Sequence, residues 1–203
     1  ERLLIHRADA VTTVSPLMSD VLRLRYPRIV EPVAILSGAF GRVASAEPAH
    51  APLRLFFQGQ LVANRRLDDL VRAVASIEDV PVTLTLQGFG GDEPRLRNLV
   101  DSLGAGDRVT FQAPCNPRMV VESASVHDVG VISYRDDSLN LRVAIPIKLL
   151  DYIAAGLAVL ASDVPGLRYV LEREQCGVLY EPFGVDELAS AIRALARDPE
   201  TVT

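Results

Sequence analysis

The sequence predicts a doubly wound parallel α/β sheet, and three observations carry that prediction. Short apolar runs recur along the chain, and amphipathic helical stretches separate them. The runs are continuously apolar rather than alternating, as in strands buried on both faces. Strand–helix–strand repetition of this kind specifies parallel pairing with right-handed crossovers.

The elements follow in order. A strand at Ala10–Val14 precedes a helix from Pro16 to about Tyr26 and a strand at Pro32–Leu36. These are too few to bury their own faces, so residues 1–45 read as the tail of a preceding N-terminal domain plus a linker. From Ser37 to Pro52 the chain runs SGAFGRVASAEPAHAP, rich in Gly, Ala, Ser and Pro, which reads as that linker. Residues 46–203 then hold six strand–helix units, a complete domain. Its strands are Leu53–Phe57, Val82–Leu86, Val109–Gln112, Val129–Ser133, Ala158–Ala161 and Val178–Tyr180. Helical spacing aligns Leu67, Leu70, Val71, Val74 and Ile77 on one face, and Val185, Leu188, Ile192 and Leu195 on another.

Composition narrows the function classes. Basic residues number 21 against 26 acidic, a net charge of −5, which argues against a general nucleic-acid binder needing surplus cations to replace phosphate counterions. No apolar run reaches the roughly 18 residues of a membrane span. The chain opens at Glu1 with neither Met nor a basic-then-apolar leader, and reads as a piece of something longer. Cys115 and Cys176 lie far apart without CxxC or His-rich spacing, so they read as reduced thiols of a cytoplasmic protein rather than a metal or disulfide framework. Lys148 is the sole lysine.

Ligands of open parallel sheets sit beyond the carboxyl ends of the strands, which directs the search to the loops there. FFQGQLVANRR follows the first strand of the complete domain: Gly59 permits close backbone approach, and Arg65 and Arg66 stand just before the helix at Leu67. Two readings fit this loop, a diphosphate grip or a turn with a solvated Arg pair. QGFGGDEP offers Gly88, Gly90 and Gly91, but Glu93 stands where a dinucleotide fingerprint needs Gly, and no Gly-Lys-Ser/Thr triplet exists for a phosphate loop. Asp136 and Asp137 suggest either a metal-holding acidic pair or a plain acidic surface loop. His127 and Asp128 read as a catalytic pair or as a partly buried His beside an Asp that ends a helix; no nucleophile is placed to use them.

PIKLLDYIAAGLAVLAS is the most informative segment. Pro146 suits the first position of a helix, and Lys148 then adds charge to a first turn whose free amides already attract anions. Asp151, three residues on, shares its face and is suited to accept two hydrogen bonds from a ribose diol. Together these describe a nucleotide-diphosphate site. The alternative is a capped amphipathic helix with Lys148 and Asp151 facing solvent.

The motifs, taken in order, resemble the C-terminal, donor-binding half of retaining glycosyltransferases of the two-Rossmann-domain superfamily, the group 1 or family 4 type with the GT-B fold. ILSG is similar to "IPNG", FFQGQLVANRRLDDLVRAV to "GxLxxxRGxxxLixA", and LQGFGGDEPRL to "GxGpxxxxL". The strongest match is SLNLRVAIPIKLLDYIAAGLAVLASDVPG, which resembles "SLNxxxALPxKLFEYxAAGLPVxASDxPG". The resemblance implies a Rossmann-like domain in which Arg65 and Lys148 contact the donor diphosphate and serve catalysis. Gly59, Gln60, Gly88, Asn140 and Asp151 are the donor-binding candidates, Asp151 taking the ribose where the family usually has Glu. Val143 stands where many relatives carry an earlier Glu that contacts the sugar, and Arg66 replaces the usual Gly, which would crowd the diphosphate.

The implied reaction transfers a glycosyl group from a UDP-, GDP- or ADP-sugar with retention, without cofactor or metal. The acceptor, a glycan or lipid-linked saccharide, belongs to the N-terminal domain, and the full-length protein is expected in the cytoplasm or peripherally at the inner membrane. Two other classes compete: a nucleotide-sugar epimerase on the same two-domain plan, and a non-catalytic flavodoxin-like signalling or interaction domain.

Overall fold

The computed structural model describes residues 2–38, 40–41, 51–134, 136–181 and 184–198. A short helix α1 (Arg2–Ile5) precedes strand β1 (Thr12–Thr13), helix α2 (Pro16–Arg25) and strand β2 (Val33–Ala34). Ser15 caps α2 by accepting the amide of Met18 at 3.0 Å, and Pro16 follows where its missing N–H costs nothing. β1 and β2 pair in parallel as a two-stranded sheet. Both are shorter than the sequence predicts, because among the described residues they pair only with each other. Most of the predicted linker, and the 45/46 boundary within it, lies outside the described residues.

The main sheet holds β3 (Leu53–Gln60), β4 (Val82–Phe89), β5 (Val109–Gln112), β6 (Val129–Ile132), β7 (Ala158–Ser162) and β8 (Gly177–Tyr180). All pairs are parallel, in the spatial order β5-β4-β3-β6-β7-β8. The chain therefore winds outward from β3 in one direction and then, from β6, in the other. That reversal makes the fold doubly wound and places its crevice between β3 and β6. The crossovers are supplied by α3 (Leu67–Ser76), α4 (Glu93–Ser102), α5 (Val120–Ala124), α6 (Leu139–Val143), α7 (Ile147–Ala154) and α8 (Pro165–Glu174), and α9 (Val185–Arg197) closes the domain.

Helices cover both faces. Leu55 and Phe57 of β3 pack with α3, α4 and α9, whereas Phe56 between them packs with α5, α7 and α8. Both sides of one strand are thus core, which is why its sequence shows no alternation. The periodic residues of α3 are buried with Ile77 beyond its end, and α9 buries Leu188, Ile192 and Leu195 with Val185 packed partly against them.

Three local expectations need correction. β3 runs to Gln60 and β4 to Phe89, each three residues further than predicted. Their ladder continues because Gly59 and Gly88 are register partners lying so close that a Cβ on Gly88 would stand 1.8 Å from the Gly59 carbonyl oxygen. Pro146 is the extended N-cap of α7, not its first residue, so Lys148 is the second helical position. Asp128 directly precedes β6 and does not end a helix, since α5 stops at Ala124. Among the described residues, no helix is long and apolar enough to cross a membrane.

Candidate functional site

Helix α7 is fastened to the crevice from within the core. Tyr152 lays its ring over Gly130 of β6, where a Cβ would come within 2.2 Å of the ring, so only glycine admits it. The Tyr152 hydroxyl accepts the backbone N–H of Gln58 at 3.0 Å. Burial pushes its phenol well above the usual range, against the pull of that hydrogen bond. One turn earlier, this contact sets Lys148 against the carboxyl end of β3.

A cavity of about 540 Å³ opens there, beyond the carboxyl ends of β3 and β6. Gln58, Arg65, Tyr134, Lys148 and Asp151 line it, together with Cys115 from the loop after β5. Ser37, Gly38 and Phe40, from the segment after β2, complete its wall.

Lys148 is half-buried. Its Nζ sits 3.9 Å above the centre of the Phe57 ring, and a Cβ on Gly59 would come within 3.1 Å of it. The glycine at 59, with φ of 141°, leaves room for the ammonium to lie against the strand. Burial, then the neighbouring Arg65 charge, lower the Lys148 pKa to about 7, with Asp151 opposing the fall. Asp151 is only 7% exposed, and burial raises its carboxyl above the usual range against the pull of Lys148. Neither residue stands free in solvent, which removes the capped-surface-helix alternative.

Arg65 ends the short 3-10 turn Ala63–Arg65 and crosses the face of Tyr134, its guanidinium carbon 5.1 Å from the ring centre. Its Nη1 is buried and has no hydrogen-bond partner among the described residues. A buried guanidinium donor without an acceptor is costly, on the order of 1–3 kcal/mol. An anion entering the cavity would supply the missing acceptor. The two arginines are not a solvated pair, because each has its own contact within the fold. Arg66 adopts the left-handed conformation, φ 51°, that explains the family's glycine here, and its side chain pairs with Asp69 of α3. It does not line the cavity.

The remaining candidates divide. Gly59, Gln60 and Gly88 line a second, smaller cavity of about 260 Å³ that shares Gln58 and Cys115 with the first. Asn140 stands exposed on α6 and lines neither cavity. Val143 is buried, and its carbonyl accepts the hydroxyl of Ser15. Asp136 pairs with Arg142 at 2.9 Å, and no His, Cys, Asp and Glu cluster fit for a metal is found among the described residues. His127 stacks on Phe56 and contacts Thr85 Oγ1 and the Ala124 carbonyl; burial lowers its pKa. Asp128 is locked to Arg54 at the opposite, amino end of the sheet, so the pair is structural. Cys176 is partly buried in the second core face, with its thiol pushed up by burial.

Four residues escaped the sequence reading: Phe57, Cys115, Tyr134 and Tyr152. Each looks like core or loop in sequence. Only the terminal aromatic in VGVISY, standing at a strand's carboxyl end, marks Tyr134 as worth attention.

The model of the family described as "Glycosyl transferases group 1" matches residues 52–198. Alpha-D-kanosaminyltransferase of Streptomyces kanamyceticus is 24% identical over 98% of this chain and 54% of its own length. A D-inositol 3-phosphate glycosyltransferase of Geodermatophilus obscurus is 31% identical over 70% of this chain and 32% of its own. Among solved structures, sucrose-phosphate synthase from Thermosynechococcus elongatus superposes with a TM-score of 0.80 at 25% identity, over 99% of this chain and 52% of that one. Anabaena HepE, solved in complex with UDP and glucose, has a TM-score of 0.77 at 17% identity, over 99% and 58%. The chain thus spans about half the length of the relatives it matches end to end.

Proposed function

The chain belongs to the group 1 glycosyl transferases, and on that premise we propose that it forms the donor-binding part of a retaining enzyme that uses a nucleotide-diphosphate sugar. The observation that carries the reading is the buried, unpartnered Nη1 of Arg65 in the same cavity as Lys148 and Asp151. Two basic groups and a carboxylate lining one cavity suit a ligand that carries both a diphosphate and a diol. That a structural neighbour holds UDP supports the ligand class.

Each residue then has a role. As the bond from the anomeric carbon to the β-phosphate oxygen breaks, negative charge gathers on the leaving diphosphate. Arg65 and Lys148 stabilise that charge, helped by the free amides at the start of α7. Asp151 accepts the ribose hydroxyls. Gly59 and Gly88, the closely paired ends of β3 and β4, give the ligand access to backbone. Fixed cations do the work that a metal does elsewhere, so transfer proceeds without one. The acceptor, a glycan or lipid-linked saccharide, is held by another domain of the whole enzyme.

Calorimetric titration of the chain with UDP, GDP and ADP tests the reading and identifies the base. The expected result is one site with a Kd of tens of micromolar, about −6 kcal/mol, for one of the three. No heat from any nucleotide at high protein concentration contradicts the assignment. For the whole enzyme, turnover is expected to survive a chelator; loss restored by manganese would return Asp136 and Asp137 as ligands.

A further inference from the structure

We propose that Tyr134 is the positioning residue for Arg65: its ring holds the guanidinium by its face, so that no carboxylate neutralises it and one amino group stays free for the diphosphate. This rests on the donor-site reading above and adds to it a residue outside the two charged contacts.

Other arginines of the chain, among them Arg54, Arg66, Arg95, Arg97 and Arg168, are held by carboxylates. Arg65 instead lies over an aromatic face, and its buried Nη1 has no acceptor. A ring attracts a cation through its negative face without consuming a donor N–H. A carboxylate in the same place would take two of those donors and cancel the charge.

The seat itself is rigid. Tyr134 is 5% exposed, and its backbone N–H donates to Ser162 Oγ at 2.9 Å. That hydroxyl donates to the Tyr180 hydroxyl at 3.1 Å, which in turn donates to Ser133 Oγ at 3.1 Å. The buried relay joins the carboxyl ends of β6, β7 and β8 and holds the Tyr134 backbone. Serine and tyrosine hydroxyls thus lock the strand end that carries Tyr134, which lines the cavity. Burial raises the Tyr134 phenol above its usual range, against the pull of Arg65, so it stays neutral and acts through its ring.

Two variants and two readouts test this. Tyr134→Leu removes the ring, and Tyr134→Phe keeps it. In calorimetry, Tyr134→Leu is expected to weaken UDP binding about five- to thirtyfold, and Tyr134→Phe to recover most of that loss. In an Arg65→Gln background, Tyr134→Leu is expected to cost no further affinity, because its effect passes through Arg65. Equal losses in both backgrounds overturn the proposal. The second readout needs no ligand. Lys148 is the only lysine, so ¹³C-lysine labelling yields one side-chain signal whose titration Arg65 depresses. Release of Arg65 by Tyr134→Leu is expected to raise that titration midpoint, as Arg65→Gln does; an unmoved midpoint in folded protein overturns the proposal. If Tyr134→Leu does not fold, Tyr134→Phe with a fluorinated ring, which keeps the shape and removes the negative face, takes its place with the same expectations. Should none of UDP, GDP and ADP bind the unaltered chain, the donor-site reading falls while the lysine titration still decides the role of Tyr134; should GDP or ADP be the one that binds, it replaces UDP in the calorimetry.

Discussion

At the amino ends of the strands, Asp128 is 5% exposed and accepts the Arg54 backbone N–H at 2.7 Å and its guanidinium at 2.6 Å. Nearby, Arg108 donates to the carbonyls of Val74, Ala75 and Ile77 that close α3. At the carboxyl ends of the same sheet, Arg65 leaves a buried nitrogen unpartnered and Lys148 rests on a phenyl ring with its pKa lowered to about 7. The first set of charges is satisfied by the fold. The second is left unsatisfied by it, at a cost in stability. On the proposed reading, charges that serve structure are paired within the chain, and charges that serve a ligand are kept in want of one.

Variants at the two ends should separate stability from binding. The largest effect is expected from Asp128→Ala, which strips the Arg54 amide and guanidinium of their acceptor. Urea unfolding should show a loss of about 2–4 kcal/mol, with UDP affinity of the folded fraction retained. Lys148→Ala should do the reverse. It should weaken UDP binding ten- to a hundredfold, about 1.5–3 kcal/mol, without loss of stability, because it removes a desolvated ammonium. Equal destabilisation in both variants would erase the contrast between the two ends.

The pH dependence sharpens the same point. Lys148 releases its proton near pH 7 when folded but near 10.5 when unfolded. Between those values the unfolded chain binds the extra proton, so stability rises with pH. The unfolding free energy should climb from pH 7 towards 10 in the natural chain, and climb less in Lys148→Met. Parallel curves for the two would contradict it. The smallest effect belongs to Arg66→Gly. It relieves a left-handed backbone but removes the pair with Asp69, so stability should move by less than about 1 kcal/mol, with UDP affinity unchanged.

Much of the fold was legible because its signal is local. β6, β7 and β8 are near-continuous apolar runs, β4 and β5 alternate apolar residues with Thr, and α3 and α9 keep their faces to the core as their spacing requires. The ends of elements were less legible. The extra residues of β3 and β4 depend on two glycines meeting across the ladder, and the brevity of β1 and β2 depends on what else pairs with them. For the site, Lys148 and Asp151 were readable from helical spacing and Arg65 from its place before α3. Their shared cavity was not, because it forms between β3 and β6, strands far apart in sequence. Tyr134, Phe57 and Tyr152 stayed hidden for another reason: aromatic residues at strand ends and in helices are what any core contains. Only their positions against Arg65, Lys148 and Gly130 distinguish them.

The unsatisfied cations can be watched directly through the lone lysine. With ¹³C-lysine-labelled chain at pH 8, Lys148 starts mostly neutral, since its pKa lies near 7. A bound diphosphate beside it favours the ammonium. Saturating UDP should therefore move the single lysine signal from the neutral to the protonated position, with uptake of a proton. A signal that stays in place while UDP binds, or a chain that binds no UDP, GDP or ADP at all, would contradict the claim that these cations are held open for a nucleotide diphosphate.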